Sequence, residues 1–108
     1  MTWEEVRAIA CEWPGVEDGS YHGYPAMRVA GRFLLRLGDD RQSLEFKGIE
    51  HDRREMLTAA EPAGFFALGG QTSLGVRLDG LDEAALRGLI DAHRRRVAPK
   101  SLQAAATR

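Results

Sequence analysis

The chain has 108 residues, 44% apolar and 29% charged, the makeup of one globular domain that can bury a core without disulfides or a structural metal. A formal net charge of −1 excludes a polycation, so any nucleic-acid contact has to come from uneven charge placement. The single cysteine, Cys11, excludes an internal disulfide, and the acidic start "MTWEEVRAIACEW" has no apolar run of signal or membrane-span length; a cytoplasmic protein with no membrane partner is expected.

Thr2 and Glu5 have the spacing of a capping box. Val6, Ile9, Ala10 and Trp13 then share one helical stripe, with Trp3 at its edge, and Pro14-Gly15 ends the helix. From Ala26 the period changes to two. Met27 and Val29 alternate with Arg28, and after Gly31 the residues Phe33, Leu35 and Leu37 alternate with Leu34 and Arg36. A three-residue loop, Ala30 to Arg32, pairs Val29 with Phe33 and Met27 with Leu35, and so puts every large inward residue on one face. That register leaves Leu34 as an exposed apolar residue among arginines.

The segment "GDDRQ" reads as a turn and "SLEFK" as a strand with Leu44 and Phe46 inward. Asp52 and Glu55 suggest a second capping pair before a short helix carrying Met56, Leu57 and Ala60, stopped by Pro62. Phe65 and Phe66 are expected to anchor a loose segment, and "GGQTS" to form a turn. Leu74, Val76 and Leu78 face inward from a fourth strand. Asp82 caps the last helix, whose stripe is Leu86, Leu89, Ile90, His93 and Val97. The expected fold is α+β, a small antiparallel sheet of about four strands with N-terminal, short central and C-terminal helices packed mainly on one face. Residues 1–100 form a single domain in this reading, and 101–108, "SLQAAATR", a flexible tail.

Strand phasing has a consequence for charge. If Met27, Leu35, Phe46 and Val76 face the helices, then Arg28, Arg36, Lys47 and Arg77 share the opposite face, with Glu45 as a dissenting acid. Such a face is either simply solvated or a phosphate-contacting surface. The ends are asymmetric too. Glu4, Glu5, Glu12, Glu17 and Asp18 stand against Arg7 near the start, whereas Arg87, Arg94, Arg95, Arg96, Lys100 and Arg108 stand against Asp91 near the end. A basic helix end suits both the macrodipole and nucleic-acid contact. There is no recognition-helix signature, no zinc-finger spacing and no aromatic-rich strand of the kind that stacks RNA bases.

An enzymatic reading finds little support. His22, His51 and His93 are scattered and remote from Cys11, no pair has metal-ligand spacing, and His93 sits on an apolar stripe as a core-edge histidine. "GGQTSLG" lacks the lysine and spacing of a phosphate-binding loop. No catalytic residue, metal or cofactor is assigned. Tyr21, His22 and Tyr24, ahead of Pro25, form either a lid over the core or the lining of a small-ligand pocket.

Taken together, "WPGVEDGSYHGYPAMRVAGR", "EHDRREML", "EPAGFF", "GVRLDGLDEAALRGLI" and the closing "APKSL" resemble the MmcQ/YjbR family over nearly the whole chain. The resemblance implies a compact α/β domain and DNA binding by a double-wing arrangement, in which paired β-hairpins embrace the duplex. Carried over by position, the wing is Ala26 to Leu37, which brings Arg28, Arg32 and Arg36 to the DNA. Lys47 and Arg77 of the sheet face and Arg94 and Arg95 of the last helix complete the expected basic surface. Two departures remove aromatic surface: "TSLGV" stands where the family often has a tryptophan before the last strand, and His93 where it often has an aromatic. The expected function is thus a small, non-enzymatic domain binding double-stranded DNA weakly and with low specificity, as a monomer or weak homodimer. The alternatives are a protein-interaction or homodimerisation module using the face around Leu34, and a small-ligand domain.

Overall fold

The computed structural model describes residues 1–97; the expected domain limit at residue 100 and the tail 101–108 lie outside the described residues. Three helices and six strands follow in the order α1 (Trp3–Ala10), β1 (Val16–Tyr21), β2 (Tyr24–Val29), β3 (Arg32–Leu37), β4 (Ser43–Phe46), α2 (His51–Ala60), β5 (Phe65–Ala67), β6 (Leu74–Arg77) and α3 (Glu83–Val97). The strands form one antiparallel sheet, ordered β1-β2-β3-β4-β6-β5. The α+β class is as expected, but the sheet has six strands instead of about four. The two additional strands are its edges. In β1, "VEDGSY", only Val16 is buried, and β5 is three residues long, so neither carries the alternation that marks a strand with neighbours on both sides.

Hairpin β2–β3 corrects the expected register. Its loop is the two-residue Ala30-Gly31, both at positive φ (50° and 77°), so Val29 pairs with Arg32 and Arg28 with Phe33. A bulge then skips Leu34, and Met27 pairs with Leu35 as expected. Leu34 and Leu35 are consequently both fully buried, and Phe33 stands on the other side of the sheet. A tight turn and a greasy inner face are incompatible in strict alternation; one extra residue reconciles them.

The core joins Val6, Ile9 and Ala10 of α1 and Leu86, Leu89 and Ile90 of α3 to the inward residues of the strands. Thr2 and Glu5 do form the capping box, and Asp82 accepts from the amides of Ala84 (2.6 Å) and Ala85 (3.2 Å) at the start of α3. The second capping pair is corrected. Helix α2 starts at His51 with Glu50 at its N-cap and no side-chain cap bond, and Asp52 lies in the first turn.

Helix α2 has another task. Arg54, only 5% exposed, donates from Nη1 to the carbonyls of Gly70 (2.9 Å), Ser73 (3.2 Å) and Leu68 (3.4 Å), and from Nε and Nη2 to Glu55. With the Ile49 amide on the Thr72 carbonyl (2.9 Å), it organises the glycine-containing connection from β5 to β6. A buried guanidinium is tolerable because carbonyls and a carboxylate replace its water.

Two substitutions test this architecture by thermal or denaturant unfolding. Leu34→Ala should cost about 2–5 kcal/mol, as expected of a fully buried leucine, and more than Phe33→Ala; the reverse order would restore the three-residue loop. Gly75→Ala should cost about 1–3 kcal/mol, because a Cβ there collides with the Phe66 ring.

Candidate functional site

The outer face of the sheet is organised around one row of paired residues crossing all six strands: Gly19, Ala26, Arg36, Glu45, Gly75 and Phe66. Small residues keep the row low on either side of a central ion pair. Arg36 donates from Nη2 to Glu45 Oε2 and from Nη1 to Asp39 Oδ1, both at 2.9 Å. Its side chain is 12% exposed and that of Glu45 15%. Burial pushes the Arg36 guanidinium down, but the bonds to Asp39 and Glu45 outweigh it and the net shift is upward, so the charge is locked on.

Four rings gather around this row, one each from β1, β2, β3 and β5. Tyr21 and Tyr24 are paired across a hairpin whose tip, His22-Gly23, has positive φ (51° and 84°). Tyr21 meets Phe33 edge-on with centroids 4.9 Å apart and meets the His22 ring at 4.3 Å. Phe66 lies over Gly75.

Cations alternate with the rings. Arg36 sits 5.0 Å from the Tyr24 centroid and 5.9 Å from Tyr21, Lys47 4.3 Å from Tyr21, and Arg77 4.7 Å from Phe66. Lys47 Nζ also donates to Tyr21 Oη (2.6 Å) and lies 3.8 Å from Glu45. Arg28 turns along the hairpin, donating to the carbonyls of Ser20 (3.0 Å) and Gly31 (3.4 Å). Arg41, at positive φ in the β3–β4 turn, reaches the Tyr24 ring at 5.9 Å.

Of the basic residues expected on this face, Arg28, Arg36, Lys47 and Arg77 are brought together, and Arg32 is exposed beside the Ala30-Gly31 tip. Arg94 is a correction. Its side chain is fully buried with the inward stripe of α3, so it offers no phosphate a contact from the surface. Arg95 is exposed on α3 and paired with Asp91 at 3.1 Å. Leu34, expected as an exposed contact residue, is buried, because the two-residue turn puts Phe33 and not Leu34 on the outer face. Tyr21 and Tyr24 belong to the aromatic array, with His22 exposed at the turn. As expected, no single strand is rich in outward rings; the aromatic array is assembled from four strands. The one advance sign of it was the tyrosine pair before Pro25.

A cleft of about 220 Å³ opens between Arg36 and Phe66, bordered by Asp39, Asp40 and Glu45. Asp40 shapes its rim by accepting from the Gln42 amide and the Ser43 hydroxyl, both at 2.9 Å. Among the described residues no group of three His, Cys, Asp or Glu side chains is placed to hold a metal ion, and no helix is long and apolar enough to cross a membrane. No family model matches this chain, and no curated protein or solved structure matches it.

The rim predicts an acid response. The Gln42 amide foremost, helped by Ser43, holds the Asp40 carboxyl below its ordinary 3.8, and the bond from Arg87 holds Glu12 below 4.5. Folded values below unfolded ones stabilise above the unfolded pKa, and that contribution disappears as pH falls through the folded one. The melting temperature should hold above about pH 5 and decline on further acidification. Asp40→Asn should melt lower at neutral pH and lose less across that window; superimposable profiles would remove Asp40 from the account.

Proposed function

We propose that this chain is an MmcQ/YjbR-like domain that binds DNA weakly, non-enzymatically and without marked sequence preference, through the outer face of its sheet. The observation that carries the reading is the alternation of cations and aromatic rings on that one face. Lys47 and Arg77 are its principal phosphate contacts, with Arg28 and Arg32 flanking the hairpin tip. Arg77 is exposed and has no carboxylate partner among the described residues. Lys47 is tied only by a hydroxyl and by a carboxylate at 3.8 Å, bonds that a phosphate can replace. Arg36 is a positioning residue, because its guanidinium is already shared between two acids.

So few available charges imply affinities in the range of non-specific binding, roughly 10⁻⁴–10⁻⁶ M at physiological salt. Resemblance of the hairpin sequence to the double-wing pattern supports the same reading. The test is fluorescence anisotropy with labelled DNA at several salt concentrations. Binding should weaken as salt rises, and Lys47→Ala/Arg77→Ala should weaken it further and flatten the log–log salt slope by about one to two. No binding at low salt, or a double variant indistinguishable from the parent, would refute it.

A further inference from the structure

We infer that the form of nucleic acid this face takes is an unpaired strand, its bases laid on the rings of Tyr21, Phe33 and Tyr24 and its phosphates met by Lys47, Arg28 and Arg77. This rests on the nucleic-acid reading and narrows it.

Three features favour bases over a duplex backbone. First, the rings are half-buried, which fixes their planes while leaving part of each open; base stacking on such rings tolerates any sequence, because every base has a π-face. Second, the most central cation of the face is spent internally. Glu45 and Asp39 take Arg36, and Glu17 stands opposite Arg28 in the β1–β2 register. A duplex presents phosphates and groove edges but keeps its base faces stacked inside, whereas an unpaired strand offers those faces to rings. Third, the cleft between Arg36 and Phe66 is bordered by Asp39, Asp40 and Glu45, which repel a phosphate. At about 220 Å³ it is below the size of drug-sized sites and suits a single flat ring system against Phe66.

The place of Lys47 fits the same scheme. Its ammonium sits at the hydroxyl end of Tyr21, 2.6 Å from Oη, and 5.3 Å from the Phe33 centroid, so it lies beside the rings and leaves the Tyr21 face open to a base. Its flexible stem lets the ammonium move to a phosphate when a strand binds.

The experiment compares a fluorescein-labelled oligothymidylate with a labelled duplex of equal length by anisotropy, for the parent chain, Phe33→Leu, Tyr21→Leu and Tyr21→Phe. The parent should bind the single strand about tenfold or more tightly than the duplex. Each leucine variant should lose about tenfold on the single strand, while Tyr21→Phe, which keeps the ring and loses only the hydroxyl, should retain most of it. Tyr21 is on an edge strand, so its variants keep the test decisive if Phe33→Leu melts early. Duplex binding equal to or tighter than single-strand binding, unmoved by loss of the rings, overturns this inference and leaves the DNA reading standing. Binding of neither form overturns both.

Discussion

The bulge at Leu34 is the constraint on which both faces of the sheet depend. A two-residue turn at Ala30-Gly31 sets Arg28 opposite Phe33, and strict alternation from there would send Leu35 and Leu37 to the solvent side and Arg36 into the core. Skipping one residue reverses that outcome. Leu35 and Leu37 join Leu34 in the core and Arg36 moves to the outside, where the turn has already set Phe33, next to Tyr21 and Tyr24. The apolar interior of β3 and the placing of Arg36 among the outer rings are therefore two results of the same local irregularity, in keeping with the role of bulges in re-aiming side chains.

Charge on the outer face is arranged more for geometry than for attraction. Arg36 links β3 to β4 through Glu45 and to the following turn through Asp39, and its planar fork suits two carboxylates at once. A half-buried network of this kind positions rings and strands more reliably than exposed pairs such as Arg7–Asp18, which contribute little. It also removes the cation that a simple count of basic residues would rank first for binding.

Where residues repeat with a clear period, the sequence and the fold agree. Val6, Ile9 and Ala10 of α1, Leu86, Leu89 and Ile90 of α3, the inward set Met27, Leu35, Leu44, Phe46 and Val76, and the caps at Thr2 and Asp82 all follow from spacing and side-chain chemistry, although α1 ends at Ala10 and leaves Trp13 beyond it. Legibility fails where one residue departs from period or where a surface is assembled from distant segments. Leu34 and Phe33 exchange faces because the loop has two residues instead of three, and a bulge that alternation does not announce then returns Leu35 and Leu37 to the core. Edge strand β1 carries acids and a glycine because it has only one neighbour to satisfy. Arg94 looked like part of a basic cluster because its neighbours in sequence are arginines, but helical phase turns it to the interior. The four rings are dispersed from position 21 to position 66, and only the strand order brings them together.

The connection between β5 and β6 takes its shape from Arg54, which reaches only main-chain carbonyls there. Carbonyls are common to every amino acid. Side-chain changes at positions 68, 71, 72 and 73 that keep the backbone path leave these bonds intact, whereas Gly70, at φ 81°, resists a side chain, and from the helix His51, 3.0 Å from the Gln71 carbonyl, adds to the contacts of Arg54. Mutational tolerance in this part of the molecule is thus divided unequally, with the sensitivity gathered at Gly70 and at an arginine outside the segment it shapes.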